Sequence, residues 1–423
     1  MENLDKYFPR YEEYDPKVPV WCVTPELSGC FHRFFDTSPI SPSGRYVAVF
    51  RMPFEDRPPE PGEAGEVVVV DLHKGTHRTV AETIGWEPQL GANLNWGGSD
   101  SELFFNDVEA STWRPFAWKV NPLSGEKMKM EGTVYHASPD GRWLISANMA
   151  SMRRTQAGYG VALPPEKVRR NVGPTNDDGF FLTDTRTGRS RLLVSIADLL
   201  REANPPVRVE DVENQEIYAF HSKFSPSGDR LMLSLRWFPA SCPPRWNMLL
   251  NEDPEVCYAW VTMGGDGSRK HCAVGQDQWR KGGHHATWFP DGKRISMNLN
   301  IDEEDMRFVQ VNEDGTGLRK ILDQALGSGH PTVHRDGKHL LTDTYTTEKA
   351  SFNDGTIPLR WIDLESGEEQ VAVRINTGQP CPDSTLRVDP HPAWDRSWRY
   401  VTFNAFIGGT RKVFIADWKN LLS

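Results

Sequence analysis

Short apolar stretches separated by tight polar turns repeat along the whole chain. Seven turns, most of them similar to Ser-Pro-Asp-Gly, are each followed by an apolar run such as RYVAVFR or RISMNLN. Such runs are rich in β-branched and aromatic residues, and several alternate apolar with polar positions, which is typical of strands. The turns lie at 41–44, 97–100, 138–141, 225–228, 289–292, 334–337 and, in a degraded copy, 395–398.

A second marker also occurs seven times, each time downstream of one of these turns. It is a strand that ends in a turn, as in VVVVDLHKG, FVQVNEDG and LRWIDLESG, and all but the last lead into a further apolar stretch. One repeat unit therefore contains four short strands, which is the sequence signature of a β-propeller. Helical patterns are few, and the clearest is IADLLREA at 196–203.

The two ends of the chain predict how the ring closes. The seventh unit ends one strand short, whereas a spare strand-like run, VPVWCVTP at 18–25, precedes the first unit. An N-terminal strand that completes the last blade would remove an open sheet edge. We therefore predict one all-β domain over 1–423, a seven-bladed β-propeller closed by an N-terminal strand, with an insertion at about 151–215. A β-sandwich with coincidental turns is the alternative.

Composition limits the partners and the compartment. The net charge of −10 argues against nucleic acid and against an anionic membrane surface, because both select a basic footprint. The N-terminus has neither the basic start nor the apolar run of a secretion signal, and no apolar stretch approaches the length of a membrane span. The six cysteines show no paired spacing. We expect a cytoplasmic protein with reduced thiols.

Histidines recur at one position of the repeat, seven residues before the turn glycine or its equivalent. In chain order this position holds Thr37, Asn93, Val134, His221, His285, His330 and His391. The chain has only 12 histidines, so composition does not explain four of them in one register and in consecutive blades. The position lies at the start of the inner strand, and the four imidazoles should therefore converge near one mouth of the channel. They could bind a metal, act as general bases, or hydrogen-bond water and backbone.

The residues beside these histidines have two interpretations each. Asp389 would share a strand face with His391, and a carboxylate beside an imidazole suits Mn²⁺, Ca²⁺ or Zn²⁺. Arg387 lies on the same face and could instead form a structural salt bridge with Asp389. Trp288 and Trp394 could stack on sugar rings, although core packing between blades is the expected role for a tryptophan at these positions.

Several stretches resemble the oligogalacturonate lyases, which are seven-bladed polysaccharide lyases related also to TolB-type propellers. The stretches are GCFHRFFDTSPISPSG (29–44), GGHHATWFPDG (282–292), FVQVNEDGTGLRKI (308–321), GHPTVHRDGKHLLTD (329–343) and DPHPAWDRSW (389–398). The resemblance implies that His285, which stands directly before the x-x-W-x-P-D-G turn, is the catalytic base. It also implies that His330 and His391 hold a divalent metal, usually manganese.

The chain departs from the pattern of this family at three positions. Asp389 and Leu386 stand where the family has a further histidine and a glutamine ligand, and the substrate arginine of the family falls near Ala259. We therefore take His330, His391 and Asp389 as the candidate ligands of a divalent metal, Mn²⁺ first, with Ca²⁺ or Zn²⁺ as alternatives.

The activity implied by the resemblance is β-elimination on an acidic, uronate-containing oligosaccharide, with a metal against the carboxylate and His285 as the base. His221 is the second candidate for the base and a further candidate ligand. Arg33, Arg245 and Arg387 are candidates for holding a substrate carboxylate. The alternatives are a lyase or hydrolase for a different uronic-acid glycan, and a non-catalytic TolB-like propeller that binds a protein or a glycan.

His284 precedes the candidate base directly. Successive side chains of a regular strand point to opposite faces of the sheet. We therefore expect His284 to point away from the site that His285 enters.

Overall fold

Seven four-stranded antiparallel sheets form the protein in a computed structural model, which describes residues 4–156, 158–242, 256–302, 305–378 and 384–422. This arrangement confirms the predicted seven-bladed β-propeller. The candidate arginine Arg245 and the cysteine Cys381 lie outside the described residues.

Blades 1 to 3 each contain four strands that follow one another in the chain. The first strand of the chain, β1 (Val20–Cys22), belongs to blade 7, and blade 1 contains β2 (Cys30–Phe31), β3 (Tyr46–Arg51), β4 (Gly65–Asp71) and β5 (Thr76–Thr83). Blade 2 contains β6 (Asn95–Trp96), β7 (Leu103–Glu109), β8 (Arg114–Val120) and β9 (Lys127–Lys129). Blade 3 contains β10 (His136–Ala137), β11 (Trp143–Ala147), β12 (Gly179–Asp184) and β13 (Ser190–Ser195).

Blades 4 to 6 repeat the same order. Blade 4 contains β14 (Gln215–Phe224), β15 (Arg230–Pro239), β16 (Cys257–Gly264) and β17 (His271–Val274). Blade 5 contains β18 (Gly283–Trp288), β19 (Arg294–Leu299), β20 (Arg307–Asn312) and β21 (Arg319–Lys320). Blade 6 contains β22 (Thr332–Val333), β23 (His339–Thr342), β24 (Thr356–Asp363) and β25 (Glu369–Asn376).

Blade 7 combines the two ends of the chain. It contains β26 (Ala393–Trp394), β27 (Tyr400–Ile407), β28 (Thr410–Asp417) and, as its outer strand, β1 (Val20–Cys22). Trp21 lies opposite Ile415, and Val20 lies opposite Ala416. The predicted closure by residues 18–25 is therefore confirmed, and the outer edge of β28 is paired.

The inner strand of blade 1 is interrupted, because the chain leaves the sheet after Phe31 and returns to it at Ile40. Phe31 pairs with Phe50, and Ile40 forms the next bridge, with Val47. Eight residues (32–39) therefore oppose only two (48 and 49) on β3. We call residues 32–39 the blade-1 excursion; its aromatic and charged side chains are buried among those of other blades.

Helices are short and mostly lie around blade 3. They are α1 (Met149–Met152), α2 (Ile196–Glu202) and α3 (Gln276–Trp279), with 3-10 turns at Leu4–Lys6, Pro165–Lys167, Val212–Asn214, Ser384–Leu386 and Trp418–Leu421. The predicted helix at 196–203 corresponds to α2, which begins where the Ser195 hydroxyl accepts the Asp198 N–H. The segment at about 151–215 also contains β12 and β13, so its irregular residues precede and follow those two strands.

Aromatic side chains fill the spaces between blades. Trp288 packs with Trp260 and Trp279, and Trp394 packs with Trp361 and Trp418, which confirms the predicted core role of Trp288 and Trp394. Among the described residues, no helix is long and apolar enough to cross a membrane, and the five cysteines there are all free thiols.

Candidate active site and metal centre

The histidine register coincides with irregularities of the inner strands. One extra residue interrupts the pairing of β14 between Ala219 and Ser222, next to His221, and one interrupts β18 between His284 and Thr287, at His285. His285 and His391 both have positive φ, 56° and 50°. Bulges and left-handed residues re-aim side chains that a regular strand would send elsewhere. These irregularities turn the imidazoles toward one another.

The bulge also changes the orientation expected for His284. Its Nδ1 lies 2.7 Å from Nδ1 of His285, and the two ring centroids are 4.5 Å apart. The expectation that His284 points away from His285 is therefore wrong. Alternation of side chains holds only while the strand is regular, and β18 loses its regular pairing at this pair of residues.

Hydrogen bonds determine which nitrogen of His285 carries the proton. His285 Nδ1 lies 2.8 Å from the carbonyl oxygen of Gly329, which can only accept, so Nδ1 is the N–H donor. Nε2 therefore keeps its lone pair, and the hydroxyl of Tyr345 is 3.4 Å away. Burial, and then the neighbouring His330 and His284, lower the pKa of His285 well below its ordinary value. The imidazole is consequently neutral at neutral pH, with a basic nitrogen available.

His330 is fixed in the same way by a carboxylate. Its Nδ1 lies 2.9 Å from both oxygens of Asp343, and its backbone N–H donates to Oδ1 of the same residue at 2.6 Å. Nε2 of His330 is left buried without a hydrogen-bond partner. A carboxylate that accepts the other N–H is the usual support of a metal-binding histidine, because it fixes the ring and raises its basicity.

Gly329 connects the candidate base with the candidate ligand. Its carbonyl holds His285, and the next residue is His330. Its φ is +62°, and a Cβ at this position would lie 2.2 Å from the Asp343 carbonyl oxygen. Only glycine combines this conformation with this approach to Asp343.

Three potential metal ligands meet next to His285. One donor atom from each of His330, Asp389 and His391 lies within 4.8 Å of the others, and all three side chains are buried. Both ring nitrogens of His391 and Nε2 of His330 have no hydrogen-bond partner. Buried polar atoms are nearly always satisfied by protein, water or an ion, so these orphaned nitrogens fit a bound cation. Burial also lowers the pKa of His391 well below its ordinary value, which keeps its imidazole in the neutral form that metals bind.

Arg387 makes the salt bridge that was the alternative role for Asp389. Its Nε donates to Asp389 Oδ2 at 2.9 Å, and the same oxygen lies 3.8 Å from His391 Nε2. The carboxylate thus contacts an arginine and remains within the ligand group. A cavity of about 10 Å³ borders Asp389 and His391, which is close to the space that one water or one ion needs.

His221 does not belong to this ligand group among the described residues. Its ring stacks on Phe220 with centroids 4.0 Å apart and on Tyr135 at 5.0 Å. Phe34, from the blade-1 excursion, contacts His221 at 5.5 Å and His391 at 4.7 Å. It also contacts the rings of His285 and His330. All four register histidines therefore surround one phenylalanine.

Arg33 enters the same region from the blade-1 excursion. Its Nη1 lies 3.1 Å from Asp36 Oδ1, its Nε donates to Asn93 Oδ1 at 3.2 Å, and its guanidinium lies over the Tyr135 ring. Nη2 is buried and has no partner. Arg33 thus has one nitrogen left for a further acceptor, whereas Arg387 already contacts Asp389.

Leu386 and Ala259, which stand where the resemblance implies a glutamine ligand and a substrate arginine, are both buried in apolar surroundings. Leu386 is fully buried in the cluster that contains Phe31 and Phe50. Ala259 is fully buried in the core of blade 4. Neither position contributes a polar group to the candidate site.

The supporting residues Asp343 and Asn298 were not identified from the sequence. Asn298 donates to the Gly329 carbonyl at 2.8 Å and to His284 Nδ1 at 3.0 Å. A signal was present, because Asn298 and Asp343 stand at the same place of the repeat, six residues after the turn glycines Gly292 and Gly337. A polar residue that recurs on or directly after an otherwise apolar second strand indicates a buried backbone or side-chain group with which it forms a hydrogen bond.

Comparison with known proteins finds solved structures with a similar fold. No protein-family model and no curated protein matches the chain. An oligogalacturonate lyase from Vibrio parahaemolyticus superimposes with a TM-score of 0.61 and 14% identity, over 97% of this chain and 96% of that one. A solved oligogalacturonate lyase in complex with manganese gives 0.61 and 13% identity over the same shares. A putative TolB from Agrobacterium tumefaciens gives 0.39 and 14% identity, over 81% of this chain and 94% of that one. The resemblance to the oligogalacturonate lyases is therefore confirmed at the level of the fold.

Proposed function

We propose that the protein is a metal-assisted lyase that cleaves uronate-containing oligosaccharides, similar to oligogalacturonate, by β-elimination. The observation that carries this proposal is one juxtaposition. Three buried ligands, His330, Asp389 and His391, gather beside a neutral imidazole, His285, whose Nε2 keeps the lone pair that can accept a proton. The rings of His285 and His330 are 3.9 Å apart, so a group held by the ligands and a proton taken by the base would belong to the same sugar residue.

The reaction needs two things from the site. The proton on C5 of a uronate is weakly acidic because the adjacent carboxylate already bears a negative charge. A divalent ion on His330, Asp389 and His391 would neutralise that carboxylate as a Lewis acid. His285 Nε2 takes the C5 proton, the C4–C5 double bond forms, and the C4–O bond breaks as the leaving oxygen takes a proton from solvent water. The Gly329 carbonyl, by accepting from Nδ1–H, stabilises the imidazolium that results.

Arg33 is the arginine that we propose for a second substrate carboxylate. It is the candidate in the described residues with an unpartnered buried nitrogen. Arg387 contacts Asp389, which supports the ligand instead. We also propose that Mn²⁺ is the preferred ion and that the protein acts in the cytoplasm on short acidic oligosaccharides.

Aromatic side chains cover the site closely. Phe34 contacts the four register histidines, and Tyr345 lies about 6 Å from the rings of His284, His285 and His330. A sugar needs a pocket of roughly 300 Å³ or more. Substrate binding on this proposal therefore requires some of these side chains to move.

The direct test is incubation with a panel of uronate oligosaccharides that differ in sugar and linkage. Elimination creates a double bond conjugated with the carboxylate, so ultraviolet absorbance should rise with at least one substrate. The rise should disappear after chelation and return with Mn²⁺. New reducing ends without absorbance would identify a hydrolase instead. Binding of a glycan without cleavage of any member of the panel would favour a non-catalytic propeller.

A further inference from the structure

Lys223 is a buried cation in the middle of the propeller. It follows His221 by two residues on β14 and is 1% exposed. Burying an ammonium group is costly unless it is paired and hydrogen-bonded. Its Nζ lies 2.8 Å from Asp36 Oδ2 and donates to the backbone carbonyl of Ala286 at 2.7 Å. Both bonds reach outside its own blade.

These contacts connect three blades around the candidate base. Asp36 comes from the blade-1 excursion, Lys223 from blade 4, and Ala286 from blade 5, where it follows His285. Ala286 lies in the bulge, between the pairs formed by His284 and Thr287. Its carbonyl accepts the hydrogen bond of the Lys223 ammonium.

The backbone of His285 needs such support. A non-glycine residue at a φ of 56° is held there only when its surroundings over-determine the conformation. One restraint is the bond from the His285 ring to the Gly329 carbonyl. The other is the bond from Lys223 to the carbonyl of the following residue.

Charge neutralisation of Asp36 does not account for Lys223 by itself. Arg33 Nη1 already lies 3.1 Å from the other oxygen of Asp36. The cluster therefore contains two buried cations for one carboxylate, and the second cation is the one that reaches the bulge.

We propose that Lys223 is a positioning residue that holds His285 in its left-handed conformation through the Ala286 carbonyl. Lys223 is not one of the three ligands, and its bond to Ala286 reaches the residue that follows the base, so it acts through the base. The inference rests on the proposed function for its kinetic consequence, but its structural consequence can be measured without any activity.

The experiment compares Lys223→Met with Lys223→Arg. Lys223→Met leaves Asp36 paired with Arg33, so the remaining buried cluster stays balanced in charge, although stability should fall with the lost bonds. It should lose about 10- to 100-fold in kcat, because a small displacement of a catalytic group is sufficient for that loss. KM and bound metal should stay near wild type. Lys223→Arg should restore part of kcat, since it keeps a charged donor.

The control is Arg230→Met, which removes another buried cation of blade 4, one that pairs with Glu313 in a turn of blade 5. It should lower stability and leave kcat unchanged. Crystal structures of the wild type and Lys223→Met provide the second readout: His285 should lose its positive φ and its bond to Gly329 in the variant. The inference is overturned if Lys223→Met keeps wild-type kcat, or if His285 remains in place in that variant. If the wild type has no lyase activity, the proposed function fails and the crystal structures alone decide the role of Lys223.

Discussion

Two histidines of the site have their free nitrogen chosen by a neighbouring acceptor. The Gly329 carbonyl takes Nδ1–H of His285, and the Asp343 carboxylate takes Nδ1–H of His330. Each ring therefore has Nε2 as its free nitrogen, which serves proton transfer in His285 and metal binding in His330. At this scale the chemistry depends on hydrogen-bond acceptors as much as on the histidines.

Asp343→Asn should weaken metal binding by about 10- to 100-fold, because an amide no longer provides a negative charge behind the His330 ring. The measurement is a titration of metal-free protein with Mn²⁺. Asp336→Asn is the matched control, since Asp336 also lies beside a histidine, His339, with 2.8 Å between Oδ2 and Nδ1, but neither residue belongs to the ligand group. Equal affinities for the two variants would contradict the supporting role of Asp343.

Glu87 should make stability depend on pH. Burial raises the pKa of this carboxyl from 4.5 to about 7, against the hydrogen bonds that it accepts from Asn93 and Gly160. Between these values the folded chain keeps a proton that the unfolded chain has released, so the free energy of unfolding falls as pH rises through this window. Glu87→Gln cannot ionise. As pH rises from about 4.5 to above about 7, the free energy of unfolding of the wild type should fall by about 3 kcal/mol relative to that of this variant.

Urea unfolding of both proteins across that range measures the difference. Glu126→Gln, at an exposed position, should show no such change relative to wild type. Parallel stability curves for wild type and Glu87→Gln would contradict the prediction.

Departures from regular strands give the site its shape. The bulge of β18 and the eight-residue excursion of blade 1 bring His285, Phe34 and Asp36 into one space. Glycine is required where backbone segments approach closely, and Gly329 is the clearest case. Its Cβ would meet Asp343, whereas a Cβ at Gly337, whose φ is +70°, would meet nothing within 4 Å.

These two glycines allow a matched comparison. Gly337→Ala should cost about 1–2 kcal/mol of stability, which is the penalty of the left-handed conformation alone. Gly329→Ala should cost clearly more and should also weaken metal binding, because Asp343 must move away. Urea unfolding and metal titration of both variants check this. Equal losses of stability would show that the contact with Asp343 is unimportant.

The repeat and the histidine register could be predicted because they depend on periodicity that is written in the sequence. Turn residues recur at fixed distances from apolar runs, and His285, His330 and His391 recur at a fixed distance from the turns. The orientation of His284 could not be predicted in this way, because a bulge follows from contacts with other blades. The partners of Asp36 and Asp343 depend on the same long-range contacts.

The complete ring places residues far apart in the chain at one site. The blade-1 excursion, blades 4 to 6 and the segment before β26 each contribute a side chain, and β1 closes the ring by pairing with β28. Asn404 of β27 shows how closure reaches the site. Its amide accepts the His32 N–H and donates to the Asp389 carbonyl. The ligand segment is thus tied both to blade 7 and to the first blade.

The most direct measurement is the metal content of wild type, His330→Ala and His285→Ala, each purified without chelator and analysed for elements. We expect about one divalent ion per chain in wild type and in His285→Ala, and a large loss in His330→Ala, because His330 is assigned as a ligand and His285 is not. His285→Ala should at the same time lose at least about 10²-fold in elimination rate. No metal in wild type, or unchanged metal in His330→Ala, would contradict the assigned centre. Loss of metal in His285→Ala would make His285 a ligand and place the base elsewhere.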